Sequence, residues 1–564
     1  MFFKRKNKLR QKALPEFSFC EANVEGLRSW VNVLPRRNIR AMANQLIVAG
    51  KELTASNCQL NQLVAVLEIL GEPIMTVSSG LLTQQIKDDH EIDIYRKRQE
   101  FFTLFGHIYC VAGQAQLKNE SAQHIDELLL KAIQFLCNAT IASYQLYESP
   151  PAGCWQLLHK IYLYSLTNSY TEANAVKFSA SYKVVTALCC ASPEKLNAKQ
   201  IEVLAEYMRS AIVGVSICEN PNNHTNFCVA TNEDQQPYRY IPKTEALKIN
   251  SNESNESHQK PDSNNNVIYF DFHKIRNTLT TSCLSRDMAK HLSSSYGMPQ
   301  VRAHARNAAT GTLDICSDLS AIHYFLSGEQ SLESLTQHLG AEYKAGSNTA
   351  QQKITHDKND VWNDIYTSNW QQSEFNGNSI EFQIQKNNAK KTNLPPEFAV
   401  QKIAISDLNP SGYKLVGNDM ALRAYKPGNL IGLKHTDENN WHVGIIRWSK
   451  AIKHEKQLGI ELLTKQIQPY GIKIVHSKQG GDFMPALLLP ESTCQGKNSK
   501  ASSNSASLLL PRLTLKGKTA AIMINTQSKK QIVLGDCIEK SGGYCRFLFT
   551  DQNISEGKID ARQG

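Results

Sequence analysis

Apolar residues recur at spacings of three and four from about residue 17 to residue 215, and at every second residue from about residue 298 onward. The first period belongs to helices buried along one stripe, the second to strands buried on one face. One chain must therefore hold two architectures in series. In the first region Leu60, Leu63, Val64, Leu67 and Leu70 share a helical face, and Leu128, Ile133, Leu136 and Ile141 continue the style. Pro150 and Pro151 suit the start of a helix whose stripe is Trp155, Leu158, Ile161 and Tyr162, and Ser192-Pro193-Glu194 is a further start signal.

These patterns predict a basic flexible N-terminus at 1–16 and a helical domain over 17–240, either a bundle or an irregular solenoid. No clean 34-residue period supports a true tetratricopeptide array. Residues 216–240 turn β-like, and 241–266 are too polar to offset their own ordering entropy, which predicts a disordered linker. Residues 267–297 read as a connecting helix. Close-set alternating runs from 298 to 490 then predict a small antiparallel barrel, with "GTLDICSDLSAIHYFL" taken as one β-run and a polar insertion at about 328–396. A polar linker at 491–506 leads to a β extension at 507–564, whose three or four strands complete that barrel or form an appendage.

Composition narrows the functional classes. An apolar fraction of 41% and a charged fraction of 20% are those of an ordinary globular chain. The net charge of +10 agrees with an anionic partner without demonstrating one. Lys4, Arg5, Lys6, Lys8, Arg10 and Lys12 crowd the N-terminus with no apolar segment after them to make a signal peptide. A solvated end accounts for them; attachment to acidic lipid or nucleic acid is the other reading. No run of 18 apolar residues occurs, so no membrane span is expected. The 14 cysteines include the adjacent pair Cys189 and Cys190 and no C-x-x-C spacing, which suits reduced thiols in the cytoplasm. No HExxH, P-loop or nucleophile-elbow motif is present, so a non-enzymatic protein without cofactor is expected. His159 and Trp155 read as packing residues.

Two fragments carry chemistry. "VRAHARNAATGTLDI" sets Arg302 and Arg306 four apart before a strand-like run. Each guanidinium is a planar fork that matches phosphate oxygens or the O6/N7 edge of guanine, and a lysine would lose the fork. "ISDLNPSGYKLVGND" puts Asp407 and Asn409 on alternate positions before Gly412. A carboxylate can accept from the N1–H and N2–H₂ groups of guanine, and an amide can complement it. Gly412 is expected to supply a positive φ and a close approach to ligand, and Pro410 to stiffen the turn.

An RxxxR pair followed by a [D/N]xSxxG turn within a six-strand barrel resembles the PilZ domains, which bind cyclic di-GMP. Arg302 and Arg306 match the first motif; Asp407, Asn409 and Gly412 match the second. "GNLIGLKHTDENNWHVGIIRWSKAIKHEKQLGIELL" is similar to the family's later strands, with Trp448 and Gly459 where that pattern has them. Asn409 replaces the motif serine, and the interval between motifs is far longer than is usual, hence the insertion. In an alternative alignment Asp318 and Ser320 stand for the second motif, with His323 in the glycine position.

The resemblance implies a multidomain α + β protein: an N-terminal α-helical bundle or irregular solenoid, then a PilZ-like antiparallel six-strand β-barrel with added strands. It implies a cytoplasmic bacterial receptor for cyclic di-GMP, bound by Arg302, Arg306, Asp407, Asn409 and Gly412, with outputs such as motility, pili or biofilm formation. The helical domain would engage a protein partner. The other readings are a ligand-free degenerate barrel acting as an interaction scaffold, and a nucleic-acid binder, which lacks the interleaved aromatic platform such proteins use.

Overall fold

The computed structural model describes residues 17–21, 23–56, 59–84, 91–116, 122–240, 266–298, 307–337, 398–418, 422–436, 438–452, 455–463, 466–475, 482–491, 505–513, 515 and 518–551. The basic N-terminus, most of both polar linkers and residues 338–396 of the insertion lie outside them. The chain divides into two compact units at 303/304.

In the first unit the helices are α1 (Val24–Asn32), α2 (Ile39–Ala55), α3 (Leu60–Thr83), α4 (Glu91–Gln116), α5 (Ala122–Gln145), α6 (Cys154–Asn168), α7 (Glu172–Cys190) and α8 (Ala198–Ala211). Side-chain caps fix the starts of α1, α2, α7 and α8. Asn23 Oδ1 accepts from Gly26 N–H at 2.7 Å, and Asn38 Oδ1 from Ala41 N–H at 3.0 Å. At α8 the start signal at Ser192-Pro193 makes only a short 3₁₀ turn, and the helix itself is capped by Asn197, which forms a reciprocal box with Gln200. The core between α4 and α5 is aromatic: Phe101, Phe102, Phe105, Tyr109 and Phe135 are all buried. Within α3, Gln62–Thr83 is long and apolar enough to cross a membrane by length and composition, but half of it is packed inside the bundle, as in a core helix.

A four-stranded antiparallel sheet completes this unit: β1 (Ser216–Cys218), β2 (Thr225–Ala230), β3 (Tyr238–Arg239) and β4 (Val267–Asp271), in the order β1-β4-β2-β3. The expected connecting helix at 267–297 thus begins as a strand, and α9 (His273–Thr278) and α10 (Arg286–Ser295) follow it. "VIYFDF" alternates, and its inward residues Ile268, Phe270 and Phe272 join the same core as the helices. His159 ties sheet to bundle: Nδ1 meets Tyr182 Oη at 2.8 Å and Nε2 meets Gln235 O at 2.9 Å.

The second unit opens with β5 (Asn307–Ala308) and β6 (Thr312–Ser317). It continues through α11 (Leu319–Leu326) and α12 (Leu332–Gln337), then β7 (Gln401–Asn409), β8 (Gly412–Asn418), β9 (Leu430–His435), β10 (His442–Ile452) and β11 (Glu455–Leu462). Strands β6 to β11 close through the β7–β8 pairing into a six-strand antiparallel barrel, with β5 running along β7 beyond β6. Leu313, Ile315, Ile403, Ile405, Leu415, Ile431, Leu433, Ile446, Leu458 and Ile460 fill it. The supposed single β-run at 311–326 breaks at Asp318, whose φ of 71° ends β6 and starts α11. Its second half, "LSAIHYFL", has apolar residues too crowded for alternation.

A second closed barrel follows, built from β12 (Gln468–Ile474), β13 (Met484–Leu489), β14 (Ser507–Leu510), β15 (Thr519–Ile524), β16 (Lys529–Lys540) and β17 (Cys545–Asp551), in the order β12-β13-β14-β17-β16-β15. The sequence reading assigned 468–490 to the first barrel. Periodicity identifies strands but not their partners, and β12 and β13 pair with the later strands. Cys316, Leu319, Ile322, Phe325, Ile445, Leu487 and Tyr544 form one apolar layer joining the barrels through α11.

Burial of His159 holds its pKa down at about 4 from the ordinary 6.5, against smaller opposing contributions from Gln235 and Asp234. A histidine kept neutral in the fold lets the unfolded chain take up the proton first. Stability is then full above pH 6.5 and falls toward pH 4, by on the order of 3 kcal/mol for this group. Urea unfolding followed by circular dichroism at pH 7 and pH 5 is expected to show about 2 kcal/mol of that loss, and His159→Gln to reduce the pH slope.

Candidate functional site

The turn that raised the nucleotide hypothesis is a two-residue hairpin. Asn409 pairs with Gly412 across Pro410 and Ser411, and Asn409 Oδ1 accepts from Ser411 N–H at 2.9 Å. One acceptor of Asn409 is thus engaged in shaping its own turn. Ser411 O in turn accepts from Leu462 N–H at 2.8 Å, fastening the hairpin to β11.

Gly412 does not take the positive φ expected of it; among the described residues the glycines with positive φ are Gly153, Gly311, Gly328 and Gly428. Its need is space. A methyl group at 412 would come 1.9 Å from Ile460 O, so the backbone of β8 lies against β11 where no side chain fits. The close approach is to the protein's own strand.

The described residues begin after the arginine motif: Arg302 and Arg306 lie outside them. Asn307, the next residue in the chain after Arg306, pairs with Leu408, and Ala308 pairs with Asp407. Ala309 N–H donates to Ser406 O at 3.3 Å, which continues the contact around a bulge at Ser406. The chain leaving the first motif therefore lies in register with the second, across about 100 residues of sequence.

Register also shows what shares a face with Asp407. Ile405 and Leu415, opposite each other, are buried in the barrel, as are Leu458 and Ile460. The residues between point outward, and they form one transverse row: Ala308, Asp407, Lys414, Gly459 and Trp448. Asn409, Gly412 and Glu461 stand in the neighbouring outward row. From Asp407 to Trp448 is three strand spacings, roughly 14 Å. The indole of Trp448 lies over Gly459: a methyl group there would sit 1.9 Å from Nε1. The outer wall thus combines a carboxylate, an ammonium group and an aromatic plate beside a side-chain-free floor.

The alternative alignment does not produce such a face. Asp318 starts α11, and His323 is buried, with Nε2 meeting Tyr470 O at 3.1 Å. Burial lowers its pKa to about 4 despite that bond. His323 fastens the helix to the second barrel. Among the described residues no group of three or more His, Cys, Asp or Glu is arranged to hold a metal ion.

Comparison with known proteins agrees with this architecture in all three parts. Residues 25–218 match a family model described as the N-terminal domain of the cyclic-di-GMP receptor FimW, and residues 470–552 its C-terminal beta-barrel domain. Residues 227–469 match the middle PilZ domain of that receptor. This part of the chain is a PilZ domain. The PilZ match starts within β2, so it takes in the later strands of the small sheet, without β1, as well as the barrel. The chain is 22% identical over 515 residues to the "Cyclic-di-GMP receptor FimW" of Pseudomonas aeruginosa, covering 84% of this chain and 82% of that protein. No solved structure matches.

Lys414 and Trp448 were not among the residues singled out for this PilZ site. Trp448 was visible in the "GIIRW" strand, but strict alternation from Ile446 would have put it inside. Gly412→Ala is expected to lower the melting temperature of the second unit without any nucleotide present, reflecting a loss of about 1–3 kcal/mol. Differential scanning calorimetry of the full chain checks it; an unchanged transition would show that β8 and β11 have room to separate.

Proposed function

We propose that this protein is a non-enzymatic cyclic di-GMP receptor whose PilZ barrel binds the nucleotide on its outer wall. The observation that carries the reading is the pairing of Asn307–Ala308 with Leu408–Asp407, which brings the chain just after Arg306 alongside the Asp-Asn turn. Arg302 and Arg306 clamp the phosphates and the O6/N7 edges of guanine with their planar forks. Asp407 accepts from the guanine N1–H and N2–H₂ groups, and Asn409 offers its remaining amide donors. Gly412 serves by letting the hairpin lie flat against β11, leaving the floor open. Lys414 adds positive charge beside Asp407, and Trp448 offers a face on which a purine can stack.

The relative's name, a cyclic-di-GMP receptor, supports the ligand class. The helical domain then serves as the output surface for a protein partner, in a cytoplasmic bacterial protein that needs no cofactor. Binding would shift the population of partner-competent states.

Calorimetric titration of the full chain with cyclic di-GMP is expected to show saturable binding. An Arg302→Ala, Arg306→Ala double variant should weaken it by at least a hundredfold, two lost charge-assisted contacts at about 1.5–3 kcal/mol each. Asp407→Ala is expected to weaken it about tenfold or more on the same scale. Absence of heat with the unmodified protein would favour the interaction-scaffold reading.

A further inference from the structure

Trp448 reaches the outer wall because of one extra residue. Ile446 pairs with Ile460 and Trp448 with Gly459, leaving Arg447 unpaired between them as a bulge. In a regular strand residues 446 and 448 share a face, and Ile446 is wholly inside the barrel. The bulge turns Trp448 outward, as bulges beside functional sites often re-aim a side chain.

That bulge is gripped from the second barrel. Arg447 Nε donates to Glu461 Oε2 at 2.6 Å. Burial opposes its charge, but Glu461, Glu539 and Tyr544 together outweigh it, and the Arg447 pKa is raised. Glu539 is itself fixed by Tyr544, whose hydroxyl donates to Oε1 at 2.8 Å. Tyr544 is fully buried in the layer it shares with Leu430, Val443 and Ile445 of the first barrel. On the other side of the bulge, Ile446 O accepts from Gly428 N–H at 2.7 Å and Ile446 N–H donates to Asn429 O at 3.0 Å. Gly428 O accepts from Ser541 Oγ. The strand before the bulge therefore meets the β16–β17 hairpin twice, through the Ser541–Gly428–Ile446 chain and through the packing of Tyr544 with Ile445.

The geometry points to a positioning role for the second barrel: Ser541, through Gly428 and Ile446, and Tyr544, packed in one layer with Ile445, brace the strand that leads into the Arg447 bulge, and so hold Trp448 on the nucleotide-binding wall without touching ligand. The link to affinity rests on the function proposed above; the link to Trp448 does not. The second barrel is then a required part of the receptor's binding wall, and a partner bound to its hairpin would alter nucleotide affinity through Trp448.

The test uses the full chain labelled with 5-fluorotryptophan, with the Trp448 fluorine resonance assigned by Trp448→Phe. Tyr544→Phe and Ser541→Ala each remove one hydrogen bond with little change of volume, and Glu539→Gln removes the charge that Tyr544 holds near Arg447. They are expected to move the Trp448 resonance in the absence of nucleotide. They should also raise the Kd for cyclic di-GMP roughly three- to tenfold, the scale of one lost hydrogen bond. Lys530→Gln, on the same barrel beside Asp551, is expected to change neither. An unmoved Trp448 resonance in all three folded variants overturns the proposal. So does an equal shift in Lys530→Gln, which would mark a general disturbance of the barrel. If the unmodified protein fails to bind cyclic di-GMP, the nucleotide reading falls, and the resonance alone still decides whether the hairpin positions Trp448.

Discussion

The contact on which the second unit depends is backbone against backbone, where Gly412 of β8 lies beneath the Ile460 carbonyl of β11. That approach lets β8 pair with β7 on one side and β11 on the other, and so closes the barrel. Closure in turn fixes which side chains face out. Lys414 stands outward because Leu415 beside it is buried, Asp407 because the bulge at Ser406 shifts the alternation after the buried Ile405, and Trp448 joins their row because the Arg447 bulge shifts the alternation of β10. The chemistry of the wall follows from the register of four strands, no one of which carries it alone.

Strand β5 is bound into the same logic. β5 has only two residues and both are exposed, yet it pairs with β7 at Leu408 and Asp407. Separation in sequence therefore matters little to the site, because loop-closure entropy grows only slowly with length. A long insertion between β6 and β7 leaves the ends of both strands in register, and the barrel tolerates it.

Much of this was legible in the chain. The switch from a three-to-four period to a period of two located the boundary between helices and barrel, and the turn at 409–412 was visible in Asn-Pro-Ser-Gly. Local patterns failed where the deciding contact was distant. Gly412 reads as a turn glycine, and only the course of β11 reveals that it needs space. Ile446 and Trp448 share a parity that one bulged residue overrides. The strands at 468–489 continue the same alternation as those before them, and nothing in their composition says that they belong to another barrel. At 267–271 a short strand before helical residues was absorbed into the helix, since five alternating residues weigh little beside the longer pattern that follows.

Both barrels are closed, so their strands offer no continuous run of unpaired amides and carbonyls to an incoming chain. Recognition by strand addition is then confined, among the described residues, to β5 and to the outer strands β1 and β3 of the small sheet. These are two or three residues long, too short to template a lasting edge. A protein that reads the described residues does so through side chains on helices, hairpins and barrel walls, where single substitutions can tune it, and these edges give two copies little means of zipping together by accident.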